Sequence, residues 1–178
     1  MYQLREKNGH LEYQDQNLGM TFPVPAECKA DLLFTPDVEA IRSEADVEDA
    51  VKHPQYGEPL KKIVEEKQAK TACILVSDAT RAVPTARLVK YVIQELAEAG
   101  ISYENIHAFV AIGVHRDATE KEMQDFLGEF YGKIQIENHM PYDKEKLVYL
   151  GETSRHTPVW VNKKAYECDV HIQIGKVE

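Results

Sequence analysis

The chain has 178 residues, 43% of them hydrophobic and 29% charged, with a formal net charge of -9. Nine Gly, eight Pro and three Cys are ordinary usage at this length, which excludes collagen-like, low-complexity and disulfide-dense classes. The 30 acidic against 21 basic side chains argue against nucleic acid as a main partner, since phosphate binding needs a dense Lys/Arg face. No apolar run approaches the roughly 20 residues that span a bilayer, and the first 20 residues lack the apolar core of a signal peptide, so the reading is a cytoplasmic protein with no membrane partner. At about 150 residues per domain the length allows one domain or one and a half. Cys28, Cys73 and Cys168 are odd in number, far apart and outside any CxxC or Cys/His pattern, so they read as free thiols.

The character changes near residue 70. Residues 1–70 are polar and punctuated by Pro23, Pro25, Pro36, Pro54 and Pro59. They predict short strands at 1–4 and 10–13 and short helices at 45–52 and 59–67, the second with Pro at its first helical position, where the missing N–H costs nothing. Residues 71–178 form the main α/β domain. ACILV at 72–76 is a continuous apolar run, as expected of a parallel strand covered on both faces. Pro84 opens a helix whose Leu88, Val89, Val92, Ile93 and Leu96 share one face, and Gly100 supplies a left-handed stop. A second strand follows at 105–112, then a helix begun by the capping box Thr119 and Glu122, then a third strand at 133–137. Segments 147–150, 158–162 and 170–174 are further strand candidates.

Strand, helix, strand, helix, strand at these lengths predicts an α/β fold, a mostly parallel sheet with flanking helices built from βαβ units. Ligands of open α/β sheets bind beyond the carboxyl ends of the strands. Those ends carry Ser77, Asp78 and Arg81, then His115 and Arg116, then Asn138 and His139. A guanidinium grips a carboxylate or phosphate with two parallel hydrogen bonds, and Arg81 precedes a helix start, so an anionic ligand is implied. His115 is the candidate acid/base, because imidazole exchanges protons near neutral pH. Asp78 orients that Arg, holds a ligand hydroxyl or caps the helix. Taken singly, Ser77 and Asp78 read equally as loop and cap residues, while Arg81 reads more often as a solvated loop residue and His115 as a structural or exposed histidine; their convergence on one edge sets them apart. Asn138 and His139 before Pro141 fit a plain turn. His10, His53, His107 and His156 receive no role, and His171 faces away from Val170 and Ile172. No G-x-G-x-x-G, G-x-x-x-x-G-K-[ST] or G-x-S-x-G occurs, so dinucleotide, P-loop and serine-hydrolase readings have no motif behind them.

SDATRAVP at 77–84 and GVHR at 113–116 resemble the SDxTRPxP and GTHR signatures of the nickel-dependent lactate racemase family, which carries a nickel-pincer nucleotide and racemises or epimerises 2-hydroxy acids. ENHMPYD at 137–143, LVYLGETSRHTPVWVN at 147–162 and DVHIQIGKVE at 169–178 extend the resemblance in order from about residue 55 onward. It implies that Arg81 binds the substrate carboxylate, that His115 is one of two histidines exchanging the hydroxyl proton, that Asp78 belongs to the pocket wall, and that the cofactor takes the α-hydrogen as hydride. Ala82, Val114 and Asp117 depart from the pattern, which leaves the preferred 2-hydroxy acid open, lactate or another. In the family, the segment like HIQIGKVE is followed by a Pro-His, a Gly-rich stretch ending in the cofactor Lys, and a nickel-binding His. None lies within these residues, so the expectation is the N-terminal domain of a longer enzyme, its C-terminal domain missing, with a homo-oligomer possible. The chain alone is then expected neither to retain nickel nor to racemise; stoichiometric nickel on the purified chain would refute this. The competing expectation is a stand-alone module that holds a small carboxylate or phosphate without turnover.

Overall fold

The computed structural model describes residues 2–7, 10–15, 19–25, 27–29 and 43–176. Pro36, the first residue of the 1–4 strand reading and the last two of the 169–178 match lie outside them. The chain divides into two compact units, Met1–Ala40 and Ile41–Glu178. The boundary falls at 40/41, whereas the composition changes near 70, because both short helices of the first 70 residues pack within the second unit.

The first unit contains an antiparallel meander of β1 (Tyr2–Lys7), β2 (His10–Asp15) and β3 (Met20–Val24). Its register pairs Tyr13 with Phe22, whose rings stand 6.4 Å apart, a cross-strand aromatic contact of the kind that stabilises a small sheet.

The second unit opens with α1 (Glu44–Lys52) and α2 (Leu60–Lys67). Ser43 and Asp46 form a reciprocal capping box on α1. Pro59 stands at the cap of α2, one position before the first helical residue, a shift within the ordinary uncertainty of helix ends. The central sheet has the order β6-β5-β4-β9, with β4 at Ala72–Ser77, β5 at Ile106–Ala111, β6 at Gln135–Asn138 and β9 at Val170–Ile174. All three pairings are parallel. α3 (Thr85–Glu98) connects β4 to β5, and α4 (Glu120–Leu127) connects β5 to β6. Two of the predicted strands, β7 (Leu147–Glu152) and β8 (Pro158–Asn162), pair only with each other in an antiparallel hairpin with an irregularity at Gly151. α5 (Lys163–Glu167) then leads into β9.

Alternation along the strands divides the core. Ala72, Ile74 and Val76 of β4, with Ile106, Ala108 and Val110 of β5, join Val89, Ile93 and Leu96 of α3 and Leu127 of α4 in the main apolar cluster. Cys73 and Phe109 point the other way and pack with Ala165 and Cys168, with Leu75 alongside. α3 ends as its sequence requires. Gly100 adopts φ +96, its N–H and that of Ile101 bond to the carbonyls of Ala97 and Leu96, and Ile101 is buried against the same core. Glu44 ties α1 to α3, accepting from Arg87 Nε at 2.6 Å and from the Tyr91 hydroxyl at 3.1 Å. Among the described residues no helix is long and apolar enough to cross a membrane.

Candidate active site

Parallel pairing of β4 with β5 sets Ser77 opposite Ala111, so the loops that leave these strands begin side by side. In the first loop, Asp78 turns its carboxylate back onto its own backbone. Oδ1 accepts the Thr80 N–H at 2.7 Å, and the Asp78 carbonyl accepts the Arg81 N–H at 3.1 Å, the local closure that Asp favours in turns. In the second loop, Gly113 takes φ +57, a conformation open to Gly and strained for most other residues. The turn is closed by the His115 N–H on the Ile112 carbonyl at 2.9 Å.

These turns bring Asp78 and His115 together across 37 positions of sequence, with His115 Nδ1 2.8 Å from Asp78 Oδ2. A carboxylate only accepts, so Nδ1 carries the proton and the neutral ring presents the lone pair of Nε2 outward. Asp78 is 8% exposed. Burial works to raise its carboxyl, but hydrogen bonds from the Thr80 hydroxyl and N–H and from His115 outweigh it and hold the group below the ordinary carboxylate value. Thr80, which sequence reasoning passed over, also has its hydroxyl 3.5 Å from His115 Nδ1; the one signal for it was its place two residues after an Asp in a turn. Arg81 is exposed, and its guanidinium makes no hydrogen bond or ion pair among the described residues. It is a cation on the Asp78 loop with all its donors available.

Not every polar group at the strand ends belongs to this cluster. Arg116 forms a two-pronged pair with Glu122, at 2.8 and 2.7 Å, which pulls Glu122 down to about 2 while Glu122 also caps α4. Asn138 is spent on Ala118, accepting its N–H and donating to its carbonyl, each at 3.0 Å. Both residues therefore brace the segment after His115. His139 sits with Nδ1 buried and without a partner.

His115 lines a cavity of about 150 Å³ with Gly113, Asp117 and Tyr142. A second cleft of about 270 Å³ lies over the carboxyl ends of β4, β5 and β9, lined by Ser77, Ala111 and Gly175, where the strand order reverses direction around β4 and ligands of such sheets are found. A cavity of about 310 Å³ against α2, α3 and β9 has Glu58 as its single charged lining residue, so volume alone does not single out the chemistry. Among the described residues no group of three or more His, Cys, Asp or Glu side chains is placed to hold a metal ion.

A family model described as lactate racemase N-terminal domain matches residues 14–178. The lactate racemase apoprotein from Thermoanaerobacterium thermosaccharolyticum superposes with a TM-score of 0.65 at 26% identity, over 73% of this chain and 31% of that one. A protein from Thermotoga maritima, solved by a structural genomics consortium, shares the fold with a TM-score of 0.57 at 22% identity, over 74% of this chain and 33% of its own. No curated protein matches. The chain spans about a third of the length of the solved proteins it resembles, and by the family match it belongs to the lactate racemase N-terminal domain family.

Proposed function

We propose that this chain forms part of the substrate site of a racemase or epimerase of 2-hydroxy acids, and that Asp78, His115 and Arg81 act there together. The observation that carries the reading is the 2.8 Å hydrogen bond between Asp78 and His115, on the loop that also presents the unpaired Arg81. Arg81 grips the substrate carboxylate with paired N–H donors, which fixes the hydroxyl and α-carbon in the pocket. His115 Nε2 accepts the hydroxyl proton as the alcohol carbon is oxidised, and returns it to the 2-keto acid on reversal. Asp78 stays ionised, holds the ring in the tautomer that leaves Nε2 free, and stabilises the imidazolium once formed.

Inversion at the α-carbon also needs an acceptor for the α-hydrogen, the chemistry that a nickel-pincer nucleotide supplies in the family this chain resembles. Among the described residues no group of three or more His, Cys, Asp or Glu side chains is placed to hold nickel, so these residues on their own do not fit a nickel site.

The test is optical interconversion across a panel of D- and L-2-hydroxy acids by the whole protein loaded with its cofactor. His115→Ala should lower kcat by about 10²–10⁴, the usual contribution of a positioned acid/base. Arg81→Ala should act chiefly on KM. Interconversion at the parent rate in His115→Ala would overturn the reading.

A further inference from the structure

The reaction proposed above leaves one substituent of the substrate unplaced. The α-carbon of a 2-hydroxy acid carries the hydroxyl that meets His115, the carboxylate that meets Arg81, and a side chain. The sheet order β6-β5-β4 puts the His115 loop between the loops that follow the other two strands. Its β4 side is taken by Asp78, which bonds His115, and by the exposed Arg81. On its β6 side, the His139 N–H bonds the Val110 carbonyl at 3.0 Å, one residue past the end of β6, and the Asp143 N–H closes a turn on the Met140 carbonyl at 3.3 Å. Segment 140–143 therefore stands on the opposite flank of the His115 loop from Arg81.

The cavity of about 150 Å³ beside His115 lies on that flank. The described residues that line it all come from 112–117 or 140–143. Val114, Met140, Pro141 and Tyr142 give it apolar walls. Val114 is 84% exposed and Tyr142 83% exposed. Single apolar side chains in water are ordinary, but two that line one cavity next to a candidate acid/base mark a binding groove. Its acidic lining residues are Asp117 and Asp143, and among the described residues no Lys or Arg lines it. An apolar cavity of about 150 Å³ holds a benzene ring, whereas the methyl group of lactate leaves most of such a space to water.

We infer that this cavity receives the side chain of the substrate, in the enantiomer whose hydroxyl meets His115, and that the preferred 2-hydroxy acid carries a branched aliphatic or aromatic side chain. The inference rests on the reading of Arg81 and His115 as contacts for the carboxylate and the hydroxyl, which directs the third substituent to the β6 flank. Asp117 and Asp143 repel a second carboxylate there, so hydroxy diacids are disfavoured.

The test uses the whole protein and single enantiomers of lactate, 2-hydroxy-4-methylpentanoate, 3-phenyllactate, malate and gluconate. Two quantities are measured: kcat/KM for interconversion with the cofactor loaded, and affinity by calorimetry without it. One methylene more or less in an apolar pocket changes kcat/KM by about 10- to 200-fold. The methylpentanoate or phenyllactate should therefore exceed lactate at least about tenfold in kcat/KM and bind more tightly, with malate and gluconate weaker than either. Val114→Asp should lower that preference over lactate by about tenfold, whereas Arg81→Ala weakens all the monocarboxylates alike and keeps the ratio. Val114 and Tyr142 are mostly in water and support no core, and Tyr142→Ala carries the test if circular dichroism shows Val114→Asp misfolded. Lactate, malate or gluconate as the best substrate and ligand, no acid either bound or interconverted, or a preference unchanged in both folded variants would each overturn the inference. Binding in the expected order without interconversion of any acid would support the side-chain pocket and overturn the proposed reaction instead.

Discussion

On one face of the central sheet, the inward side chains of β4 and β5 meet α2, α3 and α4 in a continuous apolar cluster in which Ile74, Val89, Ile93, Leu96, Ile106 and Val110 have no exposed surface. On the other face only Cys73, Phe109, Ala165 and Cys168 are sealed among the described residues, Leu75 is half-buried, and β8 and α5 leave a cavity beside them. The first face shows what holds the fold: area removed from water, at about 25 cal/mol per Å². The second shows where a parallel sheet tolerates loose cover, because its backbone hydrogen bonds are already made within the ladder and the side chains facing the gap need no partners from a helix.

Neighbours in β4 test that difference within one strand. Ile74 and Leu75 share a backbone environment and face opposite ways. Ile74→Ala should cost about 2–5 kcal/mol in chemical denaturation, the usual range for a fully enclosed site, and Leu75→Ala clearly less, since part of its side chain is already in water. Equal losses would show that the two faces are equally packed in solution.

A smaller effect concerns the acid side of stability. The hydrogen bond from Arg116, with those from Thr119, depresses Glu122 from the ordinary 4.5 to about 2 at the start of α4, a helix of the thick face. A depressed carboxyl stabilises the fold above its unfolded value, and that contribution is lost as pH falls from about 4.5 towards 2. Glu122→Gln should therefore melt lower than the parent at neutral pH, with the two converging at the acid end. A constant offset across the range would break the assignment. Asp78 is depressed as well and adds to the same acid limb.

The smallest effect leaves stability untouched. Burial pushes the Cys73 thiol up to about 12 and raises Cys168 too, while Cys28 is exposed. A thiol reagent at mild pH should modify Cys28 promptly, and Cys73 and Cys168 only as the sheet opens. Prompt labelling of Cys168 would mean that the thin face opens locally without the thick one.

The difference between local and distant information also decides what could be read from sequence. The apolar run of β4, the face of α3, the Gly100 stop and the Thr119/Glu122 box are written in neighbouring residues, and each is found where its pattern lies. Pairing is not. Nothing in 147–162 says that these two strands form a hairpin of their own, since alternation specifies a face and not a partner. Candidate residues followed the same rule. Asp78, Arg81 and His115 are legible as polar groups at strand ends, but the bond between Asp78 and His115 depends on two turns 37 positions apart, and nothing local shows that Arg116 and Asn138 at the same edge are taken up by Glu122 and Ala118.

The place of β9 beside β4 also bears on how the chain is made. Thr71 and Asp169, which join the two strands at their entry, are 98 positions apart, whereas β5 follows β4 within one helix. At ribosomal speeds of about 5–20 residues per second, β4 spends roughly 5–20 s with one flank open after its residues are synthesised. That flank displays the backbone of ACILV, an uncharged apolar run suited to pairing with the wrong strand. The nascent chain thus passes through a window in which its central strand is an edge, and chaperone demand during expression should follow the time taken to reach residue 174.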